Sequence, residues 1–307
     1  MKVLAVIPRG YCKGVVRAID IAKKSADSSK PVYILGMIVH NQYIVNALEE
    51  LGIHTIDIKG KTRLELLDEI QEGQVIITAH GASQEVFDKA KEKGLEVIDA
   101  SCLDVIKTHD LIKEKIKNGY EILYIGKKGH PEAEGAISID QKKIHLICRK
   151  EDIDQVDKNK QYVITNQTTM SLYDVYDLCE YARNTLNNVE IEKETCTATK
   201  IRQEAIKNID PDVDVVFIVG DPHSHNTQKL AAIAKSSHNF DVHMIESIEE
   251  LDIDWLKGKT YVAVSSGAST PTYLTNQIIH YLQQFDENDI STYPKPIIEK
   301  NKILNNG

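Results

Sequence analysis

Three of the five cysteines in this chain could act together in metal chemistry. Cys12, Cys102 and Cys196 lie 90 and 94 residues apart, and each begins a similar stretch of sequence. Thiolates bind zinc and iron–sulfur clusters, so three converging cysteines would hold a metal ion or a cluster. Zinc is the simpler choice, but structural zinc usually takes closely spaced pairs, and the chain has no CxxC. The wide spacing therefore favours a cluster enclosed between domains.

The other two cysteines, Cys148 and Cys179, occupy no position of this repeat. A thiol outside a motif is most often a small apolar residue in the core. We therefore expect both to be structural.

The same repeat carries polar residues behind apolar runs. A glycine lies 24 residues after each cysteine and ends an apolar run, and a polar side chain follows four residues later. A second polar position comes about forty residues further on in each copy. Together these positions hold His40, His80, His130, Thr168, Ser224 and Ser269. Histidine, hydroxyl groups and helix N-termini bind phosphate oxygens, so the pattern predicts one pocket for a small phosphate ligand.

Two carboxylates accompany His130 in the stretch GHPEAEG. A carboxyl group in a closed, partly apolar pocket has a raised pKa and can donate a proton near neutral pH. Either Glu132 or Glu134 fits this role on the residues alone.

Composition limits the class of protein. The chain has 307 residues and a net charge of −9, which argues against a broad nucleic-acid surface. No apolar run approaches the roughly 20 residues of a membrane helix, and the N-terminus lacks the layout of a signal peptide. We therefore expect a cytoplasmic protein with reduced thiols. No GxGxxG or Walker A pattern supports nucleotide binding.

Short apolar runs alternate with amphipathic stretches along the chain, which predicts an α/β fold with parallel strands covered on both faces. The expected strands are Val3–Ile7, Val32–Leu35, Val75–Thr78, Val97–Ile98, Ile122–Ile125, Tyr162–Thr165, Val189–Ile191, Val215–Val219 and Tyr261–Val264. The expected helices are Val15–Ser25, Gln42–Glu50, Gln84–Lys93, Ile106–Lys117, Leu172–Ala182, Ile201–Lys207, Thr227–Ala234 and Thr272–Gln284. The polar motifs follow strands, where open α/β sheets bind ligands.

The repeat predicts three similar α/β domains with mostly parallel sheets around a pseudo-threefold axis and a central iron–sulfur site. Their expected ranges are 1–100, 101–193 and 194–285, with boundaries near Ala100 and Glu194. Residues 286–307 lie outside the repeat, and we expect an extended or partly mobile tail.

An ordered set of motifs resembles the 4-hydroxy-3-methylbut-2-enyl diphosphate reductase family of the methylerythritol phosphate route to isoprenoids. The motifs are PRGYCKGVVRAI, GMIVHN, TAHGAS, IDASC, GKKGHPEAEGA, TNQTTMS, TCTATKIRQEA, VGDPHSHNTQKLA and GAST, and they cover residues 1 to about 285. The resemblance implies reductive dehydroxylation to isopentenyl and dimethylallyl diphosphate. It also implies a [4Fe–4S] cluster with one open iron, held by Cys12, Cys102 and Cys196.

The resemblance further assigns roles to the polar residues. The diphosphate pocket maps onto His40, His80, Ser224, Asn226 and Ser269. The family's His-Pro-Glu pair maps onto His130 and Glu132, with Glu132 as the proton donor, and Thr168 matches the threonine near the substrate hydroxyl. Two positions depart from the family: Leu103 replaces a frequent proline, and His225 a frequent serine or asparagine, so no diphosphate contact is assigned to His225.

The family takes electrons from a ferredoxin or flavodoxin, and both carriers are usually acidic. Because this chain is itself acidic, docking would need a local basic patch. Lys127, Lys128, Lys142 and Lys143 are the candidates.

Three other functions fit parts of the pattern. A cluster- or zinc-bearing sensor of a small phosphate would not turn over with a reductant, whereas a non-redox hydratase would turn over without one. A structural α/β protein with inert thiols would be colourless after anaerobic purification.

Overall fold

The computed structural model describes residues 1–192, 195–238 and 240–305. Within this part of the chain, twelve strands form three parallel sheets of four strands each. The strands are β1 (Lys2–Ala5), β2 (Val32–Leu35), β3 (Ile53–Ile56), β4 (Gln74–Ile77), β5 (Glu96–Asp99), β6 (Glu121–Ile125), β7 (Ile144–Ile147), β8 (Gln161–Asn166), β9 (Asn188–Ile191), β10 (Val215–Val219), β11 (Asp241–Ile245) and β12 (Tyr261–Ser266). The predicted fold class, three parallel α/β modules, is confirmed.

Helices alternate with these strands, as the sequence pattern predicts. They are α1 (Lys13–Ser25), α2 (Gln42–Glu49), α3 (Arg63–Leu66), α4 (Gln84–Glu92), α5 (Leu103–Lys117), α6 (Pro131–Ile137), α7 (Lys150–Ile153), α8 (Leu172–Thr185), α9 (Thr197–Lys207), α10 (His225–Ser237) and α11 (Thr272–Gln284). The three short ones, α3, α6 and α7, were not expected, because four to seven residues are too few to show a helical period.

All three sheets have the same strand order, and the third is completed by the start of the chain. The orders are β3-β2-β4-β5, β7-β6-β8-β9 and β11-β10-β12-β1. Strand β1 lies beside β12, with Lys2 opposite Tyr261 and Ala5 opposite Val264. The first residues, which the repeat assigned to the first domain, thus supply the fourth strand of the third sheet. The boundary near Glu194 lies outside the described residues, and the domain limits and the pseudo-threefold axis stay predictions.

The chain divides into two compact units. Unit 1 consists of Met1–Val16, His40–Ala47 and Thr197–Gly307, and unit 2 consists of Arg17–Val39 and Leu48–Cys196. Unit 1 therefore holds the β1-containing sheet, and unit 2 holds the other two.

Central strands are buried on both faces. In unit 1, Phe217 of β10 packs in one apolar cluster, while its neighbours Val216 and Ile218 pack in another. In unit 2, Leu123 and Tyr124 of β6 likewise belong to two different clusters. Successive side chains of a strand point to opposite faces, so each of these sheets is covered on both sides.

The C-terminal segment, residues 286–305, belongs to unit 1 and packs against α11, so it is not an extended arm. The hydroxyl of Tyr281 in α11 donates to the carbonyl of Tyr293 over 2.9 Å. Near its end, Ile303 and Leu304 are 1% and 8% exposed. The expectation of an extended arm was wrong because these two apolar residues are buried.

None of the helices that the structure describes has the length and apolar character of a membrane span.

Candidate functional site

The three repeat cysteines have equivalent local geometry. Each follows the outer strand of a sheet and directly precedes a helix. Each also donates its backbone N–H to a carbonyl in the polar loop after the neighbouring strand. These bonds join Cys12 to Ala268 (3.0 Å), Cys102 to Ala79 (2.9 Å) and Cys196 to Thr168 (3.2 Å). All three residues are partly exposed and none is in a disulfide, so each thiol is accessible to a metal.

The other two cysteines lie elsewhere. Cys179 is 3% exposed within an apolar cluster of unit 2, as expected of a structural thiol. Cys148 is exposed, and its backbone N–H donates to Asp152 over 2.7 Å. It is therefore not the buried residue that we expected.

In unit 1, the loop that carries Cys12 is tightly packed around Gly10. This glycine has φ +72°, and a Cβ there would lie 2.3 Å from Oγ1 of Thr272. Its N–H donates to Oγ of Ser266 over 2.7 Å, and its carbonyl accepts from the buried guanidinium of Arg202 over 2.8 Å. Only glycine combines this backbone conformation with such a close approach.

The first turn of α10 in unit 1 presents buried polar groups. Ser224 is the N-cap residue, and its Oγ accepts from the N–H of Thr227 over 3.5 Å. Asn226 is 5% exposed, yet neither its amide oxygen nor its amide nitrogen has a hydrogen-bond partner among the described residues. Since buried polar groups are nearly always paired, this amide is suited to a polar ligand at the positive end of the helix.

Two more predicted residues meet in unit 1. The hydroxyl of Ser269 donates to the backbone carbonyl of His40 over 3.1 Å. His225, to which the sequence analysis assigned no diphosphate contact, is the first residue of α10 and is 8% exposed.

In unit 2, Glu132, His130 and Thr168 form one hydrogen-bonded group. Glu132 is 2% exposed and accepts two bonds from Thr168, 2.7 Å from the backbone N–H and 3.0 Å from the hydroxyl. His130 is the N-cap residue of α6, and its Nδ1 accepts from the N–H of Glu132 over 3.2 Å. The Nδ1 atom therefore carries no proton in this arrangement, and a neutral His130 has its proton on Nε2.

Burial raises the pKa of Glu132 to about 7, although the bonds from Thr168 oppose this shift by favouring the charged form. The buried hydroxyl of Tyr124 lies near the same carboxyl and also favours its charged form. Glu134, the other carboxylate in this stretch, is exposed. Of the two, only Glu132 has the environment of a proton donor at neutral pH.

His80 lies beside His130, with ring centroids 5.4 Å apart in an edge-to-face arrangement. The loop of His80 is held by Arg63, whose guanidinium donates to the hydroxyl of Thr78 over 2.6 Å and to the carbonyl of Gly81. The two histidines are thus fixed side by side in unit 2.

The four candidate docking lysines do not form one patch. Lys127 and Lys128 follow the carboxyl end of β6, whereas Lys142 and Lys143 precede the amino end of β7. Because β6 and β7 are parallel neighbours, one pair lies at the carboxyl ends of the strands and the other pair lies at their amino ends. All four side chains are exposed. The backbone N–H of Lys127 donates to Gln167, the neighbour of Thr168, which places the first pair on the Glu132 side.

A family model described as LytB protein matches residues 3–283. The chain belongs to the LytB protein family. Its relatives, described next, are named as reductases, so the predicted resemblance and the enzyme class, an oxidoreductase, are confirmed.

Relatives in the LytB family match nearly the whole chain. The 4-hydroxy-3-methylbut-2-enyl diphosphate reductase of Anoxybacillus flavithermus is 48% identical over 299 residues, which cover 96% of this chain and 94% of the relative. The enzyme of the same name from Lysinibacillus sphaericus is 48% identical over 309 residues, covering 99% and 95% of the two chains. The solved structure of E-1-hydroxy-2-methyl-but-2-enyl-4-diphosphate reductase from Plasmodium falciparum superimposes with a TM-score of 0.86 at 29% identity. It covers 98% of this chain and 96% of that chain.

Several residues of this LytB protein site were missed from the sequence. Arg202 could have been found, because its position on α9 places it on the same face as the buried Thr199 and Ile206. Gly10 lies within the PRGYC motif. Its close approach to Thr272 could not be predicted from the motif, because the two residues are more than 250 positions apart. Tyr124 was missed because it lies within the apolar run of β6, where the pattern predicts only a core residue.

Proposed function

We propose that this chain catalyses the reductive dehydroxylation of 4-hydroxy-3-methylbut-2-enyl diphosphate to isopentenyl diphosphate and dimethylallyl diphosphate. The observation that carries the proposal is the buried Glu132, held by Thr168 beside His130, with a pKa near neutrality. A reduction that removes a hydroxyl group as water consumes two electrons and two protons. A protonated carboxyl in a closed site can supply such a proton.

The cysteines suit the cofactor that the family implies. Cys12, Cys102 and Cys196 are outside any disulfide and lie at three equivalent positions, each directly before a helix. We propose that they hold one [4Fe–4S] cluster, which supplies the electrons when bound. Three ligands for four irons leave one iron open. The two cysteines outside the repeat take no part.

The polar loops would bind the diphosphate. In unit 1, Ser224 and the unpartnered amide of Asn226 lie at the start of α10, where the N-terminal dipole favours anions. Ser269 and His40 supply a further hydroxyl and imidazole, and His80 with His130 supplies two imidazoles from unit 2. These groups bind the part of the substrate that does not react and so orient its hydroxyl end.

Thr168 and Glu132 would act at that hydroxyl end. The Thr168 hydroxyl points at Glu132 and can exchange this partner for the substrate oxygen, while Glu132 delivers the proton. His130, whose Nδ1 already accepts a bond from the backbone of α6, would present its Nε2–H to the substrate. A ferredoxin or flavodoxin is the proposed electron donor.

Absorption and EPR spectra of anaerobically purified protein, recorded with and without substrate, test the proposal together with a turnover assay. We expect iron–sulfur signals that change on substrate addition, and products only when a reductant is present. Spectral changes without turnover would instead indicate a sensor, and turnover without reductant a hydratase. A colourless, inactive protein would leave only a structural role.

A further inference from the structure

We propose that the C-terminal segment is a clasp that holds the side chain of Tyr11 and thereby positions the thiol of Cys12. The joining contact is short: the Tyr11 hydroxyl donates to the carbonyl of Ile303 over 2.6 Å, between residues 292 positions apart. The inference rests on the proposed role of Cys12 as a cluster ligand, and it assigns a positioning role to a residue that makes no metal contact itself.

The segment is anchored along its length, so its end is fixed in place. Three side chains of α11 bind its backbone: Tyr281 donates to the carbonyl of Tyr293, Gln277 donates to the carbonyl of Ile297, and the hydroxyl of Tyr273 accepts from the N–H of Glu299. These bonds measure 2.9, 2.9 and 3.0 Å. The segment then ends in the buried pair Ile303 and Leu304, whose apolar side chains hold the accepting carbonyl opposite Tyr11.

Tyr11 passes this constraint directly to its neighbour. Its backbone N–H donates to Oγ1 of Thr272 over 3.4 Å, and the N–H of Cys12 donates to Ala268 over 3.0 Å. The phenol contact is thus a further attachment of the same loop, reached through the side chain.

The clasp acts on one of the three repeat cysteines. Ser101 precedes Cys102 and Thr195 precedes Cys196, so neither has an adjacent tyrosine. The clasp therefore predicts an effect on Cys12 alone, and this selectivity separates it from general stabilisation.

Site-resolved alkylation of the full chain without its cluster tests the clasp. Timed exposure to iodoacetamide, followed by mass spectrometry, gives a rate for each cysteine. In Tyr11→Phe, and in a chain that ends at Lys302, we expect Cys12 to react roughly two- to tenfold faster, the range that one lost hydrogen bond allows. The alkylation rate of Cys102 should be unchanged, and the buried Cys179 should stay unreactive. The exposed Cys148 serves as the reference. Tyr293→Phe is the matched control, because its hydroxyl donates to the carbonyl of Glu287, which lies in the same segment.

An unchanged Cys12 rate in both variants would overturn the clasp. So would a parallel rise at Cys179, since that result means general loosening. The rate at which a chelator removes iron from reconstituted protein then tests the link to the cluster, and we expect it to rise in Tyr11→Phe. Selective exposure of Cys12 without faster iron loss would overturn its assignment as a ligand, while the clasp itself would stand.

Discussion

Among individual residues, Glu132 carries the most specific expectation. Glu132→Gln keeps the shape of the side chain but removes the acidic proton, so turnover should fall by at least roughly 10²-fold, as general acid contributions run to about 10²–10⁴. Substrate should still change the cluster spectrum. Glu134→Gln is the control, since Glu134 is exposed, and it should lower turnover only slightly. A larger loss in the control would move the proton donor away from Glu132.

The pH dependence follows from the pKa of about 7 at Glu132. The acid is protonated below that value, so the rate of the chemical step should be highest at low pH and should fall as pH rises through 7. Thr168→Val removes a hydroxyl that donates to the charged carboxylate. Losing that donor disfavours the charged form, raises the pKa and should shift the fall to higher pH. Single-turnover rates with a chemical reductant between pH 5.5 and 9 measure both curves. A shift to lower pH would contradict this account.

The residue types alone named two candidate carboxylates, and only the family resemblance favoured Glu132. Glu132 and Glu134 are two positions apart and chemically alike, and in the structure burial beneath the Thr168 loop distinguishes them. The unpartnered amide of Asn226 is likewise a three-dimensional property. By contrast, the equivalence of the three cysteines could be predicted from their spacing, because each occupies the same position after an outer strand and before a helix.

Among the secondary-structure elements, the three strands missed from the sequence share a reason. They are β3, β7 and β11, with the sequences IHTI, IHLI and DVHMI, and each lies at the edge of its sheet. An edge strand keeps partial contact with solvent and tolerates a polar residue, here a histidine in each. Prediction from continuous apolar runs passes over strands that a histidine interrupts, whereas the other edge strands, β1, β5 and β9, contain no histidine and were predicted.

The loop before Cys12 gives a prediction about glycine. Gly10→Ala should destabilise the protein by more than the roughly 1–2 kcal/mol of a left-handed backbone, because the new Cβ also overlaps Thr272. It should also reduce bound iron. Gly52→Ala is the matched control, with φ +78° and no atom within 4 Å, so it should show the backbone cost alone and full iron content. Urea unfolding and iron analysis measure both variants, and equal losses of stability would contradict the overlap argument.

The complete molecule is acidic, with a net charge of −9, so an acidic electron carrier needs a local positive surface. Reversing the charge of Lys127 and Lys128 should slow reduction by the carrier, more strongly at low salt, where charges are less screened. Reversing the charge of Lys142 and Lys143, which lie at the amino ends of the strands, changes the net charge equally and should have little effect on the rate of reduction. Stopped-flow reduction at several salt concentrations measures both. Equal slowing by both pairs would mean that only net charge matters.

The N-terminal strand has a consequence for the order in which the protein is made. Strand β1 is made before its partner β12, which follows about 260 residues later, on the order of 13 to 50 seconds at ordinary rates of synthesis. Both sheets of unit 2 are complete before then. The loop of Cys12 depends on Ser266, Ala268 and Thr272, so a nascent or truncated chain lacking them has no fixed place for that thiol. Binding of the proposed cluster would therefore require that synthesis has passed Thr272, at the start of α11.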